Sequence, residues 1–186
     1  MKKSFLKIFF GVGILTIIFG TIYVASQQVL RISANNPQIQ MAEDAATGLS
    51  SGSAVPADFM PATRTQFDMS QSLAPFTMIF DGSGTLLESS ANLAGAVVIP
   101  PVGTFDYAKM HGEDRFTWQP EVGLRYAVVL KYYAGSRPGF VLVGRSLREV
   151  ENQESNLEKI VGLAWLLCVF LFAVKLFLQN FLQNIF

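Results

Sequence analysis

Two long apolar runs, one near each end of this chain of 186 residues, restrict its architecture more than any other feature. Residues 8–25 contain no charged side chain, and residues 160–178 contain only one, Lys175. Each run, folded as a helix, is long enough to cross a hydrocarbon layer of about 30 Å. The sequence therefore predicts two transmembrane helices and one domain formed by the mostly polar residues between them.

The predicted organisation has seven consecutive segments. They are a basic cytoplasmic N-terminus (1–7), the first transmembrane helix (8–25), a connector of helix and loop (26–69), a sheet domain (70–147), a membrane-proximal helix (148–159), the second transmembrane helix (160–178) and a short cytoplasmic tail (179–186). The sequence leaves open whether residues 177–186 lie along the inner membrane interface as an amphipathic helix.

Charge gives the predicted orientation. Lys2, Lys3 and Lys7 precede the first apolar run without an acidic residue, and positive residues beside a span tend to stay in the cytoplasm. Both termini are then cytoplasmic and the central domain is extracytoplasmic, in the inner or plasma membrane. Residues 27–158 contain nine Lys and Arg against fourteen Asp and Glu, a balance that argues against a nucleic-acid partner.

A cleaved signal peptide is the alternative interpretation of residues 1–26, because a basic start is followed by an apolar run and by small residues at Ala25 and Ser26. The run is longer than the roughly 7 to 15 residues of a typical signal sequence, which favours an uncleaved anchor. Cys168 is the only cysteine and lies in the second run, so the central domain has no disulfide framework.

The connector is expected to contain a helix that begins at Asn36 and Pro37, since Asn is a good N-cap and Pro suits the first helical position. Gly48 supplies the stop signal, and residues 49–63, rich in Ser, Gly, Ala and Pro, are expected to form a loop.

From Pro75 onward, short β-branched and aromatic runs between turn residues predict an antiparallel sheet of about five strands. The expected strands are residues 76–80, 85–89, 116–119, 124–133 and 139–145. In the fourth strand, Leu124, Tyr126, Val128, Leu130 and Tyr132 alternate onto one face, which is the expected core face. Residues 104–110 are expected to form a short helix that ends at His111 and Gly112. The fold class is therefore α+β.

Two sets of residues are candidates for helix contacts. Leu147, Val150 and Leu157 belong to a heptad-like seam that continues to Cys168 and could join two copies of the chain, although a helix that packs on its own domain explains the pattern equally well. Thr16 and Gly20 form a pair of small residues, four positions apart, that would permit close approach of another helix.

The sequence contains few residues that could act in catalysis or bind a metal ion. It has one His, one Cys within an apolar run and scattered acids, so we expect no catalytic residues, no metal site and no cofactor. The loop Asp81-Gly82-Ser83-Gly84 lacks the further oxygen ligands of a calcium loop and is better explained as a turn.

Aromatic and basic residues supply the one candidate ligand site. A concave sheet closed by a helix could hold a small anion between guanidinium groups and rings. The alternative is that the rings pack the sheet and the cations lie on a solvated face. The candidate residues are Tyr107, Arg115, Trp118, Arg125 and Lys131.

Three segments carry a family resemblance: PFTMIFDGSGTLLESS, FDYAKMHGEDRFTWQPEVGLRYAVVLKYY and GFVLVGRSLREVE. With the helix that follows, they span residues 70–178 and resemble the extracytoplasmic PAS-like or Cache-like sensing domain of bacterial sensor histidine kinases. The resemblance implies a five-stranded antiparallel sheet flanked by helices, with the membrane-proximal helix relaying a signal. Eight residues follow residue 178, so the resemblance implies an output module on another chain.

Two functional hypotheses follow. The first is a non-enzymatic, membrane-anchored sensory or ligand-binding protein that signals as a homodimer or through another membrane protein. The second is an accessory or assembly factor that binds another membrane protein and no small ligand.

Overall fold

The computed structural model describes residues 2–62 and 65–183 and has an α+β architecture. Its helices are α1 (Lys2–Ser51), α2 (Val102–His111) and α3 (Arg148–Gln183), and a short 3-10 helix spans Pro56–Phe59. Outside the described residues lie Met1 of the predicted N-terminus, Thr63 and Arg64 of the predicted connector, and the last three residues of the predicted tail.

Within the described residues, seven strands form two sheets. The five-stranded sheet is antiparallel throughout, in the order β3-β2-β7-β6-β5, and a second, parallel pair joins β1 to β4. The predicted antiparallel sheet of five strands is therefore confirmed. The strands are β1 (Phe67–Asp68), β2 (Phe76–Asp81), β3 (Leu86–Ser89), β4 (Ala91–Asn92), β5 (Glu113–Glu121), β6 (Leu124–Tyr133) and β7 (Gly139–Ser146).

The expected core face of β6 packs against α2. Tyr126, Val128 and Leu130 join Phe105 and Ala108 of α2 in one buried cluster. Rings fill the space below the helix, with the centroid of Phe105 lying 4.9 Å from that of Phe80 and 5.2 Å from that of Phe140, both edge to face.

The opposite face of the sheet is also buried, which the alternation along β6 did not predict. Val129, Tyr133, Val141 and Val143 pack against a run of small residues in α1, and the helix covers them as a second layer. The small residues are Ala42, Ala45 and Ala46. A sheet covered on both faces has buried residues at successive positions, as residues 126–130 of β6 do.

The predicted helix start at Asn36 and Pro37 is wrong, because α1 is continuous and Pro37 lies inside it. An internal proline lacks the N–H of the helical hydrogen bond and costs about 3 kcal/mol or more. Burial of Ile39, Ala42 and the residues that follow them against the sheet offsets that cost. The N-cap pattern was outweighed by tertiary packing.

Helix α2 and the edge strand β5 end close to the positions that the sequence predicts. His111 is the last residue of α2, and Gly112 follows at φ 88°, in the left-handed region that favours glycine. Strand β5 is longer than predicted and contains Pro120, which the sheet tolerates because β5 is an edge strand.

The chain divides into two compact units. One comprises Ile32–Val150 and holds the sheets and α2, and the other comprises the residues up to Arg31 together with those from Glu151 onward. By length and composition, α1 and α3 are each apolar enough to cross a membrane.

Candidate functional site

The five candidate ligand residues do not converge. Trp118 lies in the core between the sheet and α2 and is 6% exposed, with its ring 6.4 Å from Phe76 and 6.3 Å from Tyr126 between centroids. Tyr107 lies on the outer side of α2 and stacks on His111, with 4.1 Å between ring centroids. The two aromatic rings therefore lie in different environments.

The three cations belong to the other face of the sheet. Arg115 is opposite Val129 in the β5–β6 ladder, and Arg125 and Lys131 share the alternation of Val129 along β6. Nζ of Lys131 lies 3.1 Å from a carboxylate oxygen of Glu43 in α1. The sheet thus separates Trp118 from all three cations, and the five residues line no common pocket.

The Asp81 loop closes on itself. One carboxylate oxygen of Asp81 accepts hydrogen bonds from the Ser83 amide at 2.9 Å, the Ser83 hydroxyl at 2.6 Å and the Thr85 amide at 2.9 Å. The Ser83 hydroxyl and, after it, the Thr85 amide lower the pKa of Asp81. The arrangement is that of a turn, and within the described residues no cluster of three or more His, Cys, Asp or Glu could hold a metal ion.

Three hydrogen bonds connect the start of α3, the sheet and the loop after β1 with one another. The amide of Leu147 donates to the carbonyl of Arg125 at 2.9 Å, and Arg148 Nη2 donates to the carbonyl of Ser70 at 2.7 Å. The hydroxyl of Tyr126 donates to the carbonyl of Met69 at 2.8 Å, and burial raises the pKa of that hydroxyl. We call these residues the α3 anchor.

Sequence reasoning missed the α3 anchor because two of its acceptors are backbone carbonyls in an irregular loop. The only signal in the sequence is Asp68, two residues before Ser70, a spacing typical of a side-chain turn. The Asp68 carboxylate does accept a hydrogen bond from the Ser70 amide at 2.8 Å, and the Ser70 hydroxyl, followed by its amide, lowers the pKa of Asp68.

The seam residues at and after the start of α3 are half-buried within the single chain. Leu147, Val150 and Leu157 all have intermediate exposure, as does Glu154. Glu154, a charged residue at a seam position, accepts a hydrogen bond from Arg31 Nε at 2.9 Å. This ion pair lies inside the unit that holds the ends of the chain, and it accounts for the charge in an otherwise apolar seam.

In the same unit, α1 and α3 run antiparallel. Trp165 Nε1 donates to the Thr16 hydroxyl at 3.1 Å, and the ring of Phe172 packs directly on Gly11. Thr16 and Gly20 line a groove of about 280 Å³ between the helices. Gly20 has no neighbouring atom within 4 Å of the position of a β-carbon. Of these two glycines, Gly11 is therefore the one at which α1 and α3 approach closely.

An exposed apolar surface lies on the outer side of α2. Val102 is 73% exposed and Met110 is 75% exposed, with Tyr107 between them in sequence. We call Val102, Tyr107 and Met110 the α2 outer face. Met and Tyr are enriched in protein interfaces, so this face has the composition of a contact surface.

Comparison with known proteins finds no family model that matches the chain and no match among curated proteins.

Proposed function

We propose that the chain is a non-enzymatic, two-span membrane protein whose sheet domain is an extracytoplasmic, PAS-like sensory module. In this proposal α1 and α3 cross the membrane, the termini are cytoplasmic, and α3 relays the state of the domain to a second copy or to another membrane signalling protein. The apolar lengths of α1 and α3 and the antiparallel five-stranded sheet support it.

The α3 anchor is the observation that carries this proposal. Only Leu147 separates β7 from α3, and the first helical residue, Arg148, is bonded to the loop after β1. Any displacement of that loop changes the bonding of the first turn of α3. A helix that begins at such a joint is suited to relay a rigid-body shift.

A cysteine at Leu157 tests the proposed relay. The full chain carrying Cys168→Ala and Leu157→Cys would be oxidised in native membranes, and disulfide dimer would be measured. A sensory protein that signals as a homodimer should give mainly homodimer. Arg148→Met, which removes the bond to Ser70, should change that yield, whereas Arg137→Met, at the distant β6–β7 turn, should not.

Two observations favour a second candidate, an accessory or assembly factor. Rings fill the core between the sheet and α2, and the candidate ligand residues are dispersed, so the structure offers no enclosed site built from them. The α2 outer face instead exposes apolar side chains to a partner.

A photoreactive side chain at Met110 separates the two candidates. An accessory factor should give one dominant cross-linked partner, and Val102→Lys should reduce that product because it places a charge in the contact. A matched photoreactive residue at Val122, on the β5–β6 turn and 98% exposed, is the control. If both positions capture the same mixture of proteins, the α2 outer face is no specific contact.

A further inference from the structure

The groove between α1 and α3 has two chemically different ends. Thr16 and Trp165 form one end, and Tyr23 and Glu158 form the other. Seven residues separate the ends along each helix, which corresponds to about 10 Å of helix axis. The groove is therefore elongated and lies parallel to the two helices.

Two glycines open the groove between its ends. Neither Gly20 nor Gly162 has an atom within 4 Å of the position of a β-carbon, so exposed helix backbone forms part of the wall. Within a hydrocarbon layer, an open volume of this size beside apolar helices has to be filled by apolar atoms, because water is excluded and an empty space forfeits dispersion contacts.

The polar end lies where both apolar runs stop. Tyr23 is near the end of the uncharged run of residues 8–25, and Glu158 is two positions before the run that begins at Ile160. The Thr16 end lies well inside both runs. If the helices span a membrane, the groove thus leads from the interface, where Tyr side chains concentrate, into the hydrocarbon.

We infer that this groove binds a phospholipid with a primary-amine headgroup. An acyl chain lies over Gly20 and Gly162, and the ammonium group pairs with the exposed carboxylate of Glu158. The charge of Glu158 calls for a cation, and a primary ammonium donates hydrogen bonds to a carboxylate that a quaternary ammonium cannot donate. The inference rests on the proposed membrane location of α1 and α3.

Fluorescence quenching of Trp165 provides the test. The full chain would be reconstituted in equimolar vesicles of phosphatidylethanolamine and phosphatidylcholine, with bromine on the acyl chains of one lipid at a time. Trp118 is the only other tryptophan, so the difference between the chain and its Trp165→Phe variant reports Trp165. Brominated phosphatidylethanolamine should quench Trp165 about threefold more than brominated phosphatidylcholine.

Variants assign the preference to the groove. Glu158→Gln should make the two lipids equivalent, because the neutral amide no longer pairs with ammonium. Gly162→Leu, or Gly20→Leu if the first variant does not insert, should reduce quenching by phosphatidylethanolamine. Gly13→Leu is the matched control, since Gly13 also has open space but does not line the groove.

The outcomes separate this inference from the proposed function. Equal quenching by the two lipids, or a preference that survives Glu158→Gln, overturns the lipid site and leaves the membrane location intact. Absence of quenching by both lipids places Trp165 outside the bilayer and overturns the membrane location as well.

Discussion

A single buried polar atom is the clearest imperfection among the described residues. The Gln38 side chain is 1% exposed, and its carbonyl oxygen has no hydrogen-bond partner there. A buried acceptor that has lost its water without gaining a donor costs about 1 to 3 kcal/mol. Gln38 lies in the part of α1 that belongs to the sheet domain. The unpaired oxygen should therefore lower the free energy of unfolding of that domain.

Gln38→Met should raise the free energy of unfolding by about 1 kcal/mol, because methionine has a similar shape and no polar atom to satisfy. Thermal denaturation of the detergent-solubilised chain, followed by circular dichroism, should show a midpoint a few degrees higher. Gln40→Met, at an exposed position two residues away, is the matched control and should change little. A lower midpoint for Gln38→Met would mean that the buried amide has a partner in solution.

The buried hydroxyl of Tyr126 should make the folded chain less stable at alkaline pH. Burial raises the pKa of its hydroxyl, so the folded chain keeps the proton at a pH where the unfolded chain, with a tyrosine pKa of about 10, has lost it. The stabilisation is therefore present below about pH 10 and decreases as the pH rises above that value.

Tyr126→Phe should lower the free energy of unfolding by about 1 kcal/mol at neutral pH, because the Met69 carbonyl loses its donor. It should also make the decline in stability above about pH 10 shallower. Denaturant titrations at a series of pH values measure both effects, with Tyr107→Phe on the outer side of α2 as the control. An unchanged alkaline slope would assign the effect to other tyrosines, such as the buried Tyr133.

The sequence alone could have shown that Arg115 and Trp118 do not belong to one ligand site. Arg115 and Trp118 are three positions apart, and side chains three apart on a strand lie on opposite faces. Once residues 113–121 are assigned to one strand, the two cannot share a site. The prediction treated only residues 116–119 as strand, which left Arg115 free of that restriction. The pairing of Lys131 with Glu43 required the position of α1, which no local pattern supplies.

At the scale of elements, strands were predicted better than helices. The bounds of β6 match the prediction residue for residue, because a ten-residue alternation between two glycine-containing turns has few other interpretations. The continuity of α1 was missed because Asn36 and Pro37 are a strong local signal for the start of a new helix. The second covering layer was missed because alanines carry little hydrophobic signal, although their small size suits close packing on a sheet.

Ala42→Leu tests that layer. Ala42 is fully buried against the sheet, so a larger side chain should overpack the contact and lower the free energy of unfolding by about 1 to 3 kcal/mol. Thr47→Leu, at an exposed position of the same helix, adds a comparable side chain without burial and should change stability little. Equal midpoints for the two variants in thermal denaturation would show that α1 does not cover the sheet in solution.

For the whole molecule, composition predicted the two long apolar helices, but it could not predict their pairing. The antiparallel contact depends on the Trp165 to Thr16 hydrogen bond and on Phe172 packing on Gly11. Indole and hydroxyl groups are common in apolar helices, and no spacing rule connects residues about 150 positions apart. The Arg31 to Glu154 ion pair is equally non-local.

Labelling of single cysteines tests the proposed arrangement of the whole chain. In a Cys168→Ala background, Val122→Cys lies on the highly exposed β5–β6 turn and Gln179→Cys lies beyond the second apolar run. A membrane-impermeant maleimide added to intact cells should label Val122→Cys and leave Gln179→Cys unlabelled until the cells are permeabilised. The reverse pattern would place the sheet domain in the cytoplasm, against the positive-inside expectation from Lys2, Lys3 and Lys7. Labelling of both positions in intact cells would be incompatible with two membrane crossings whose termini are cytoplasmic.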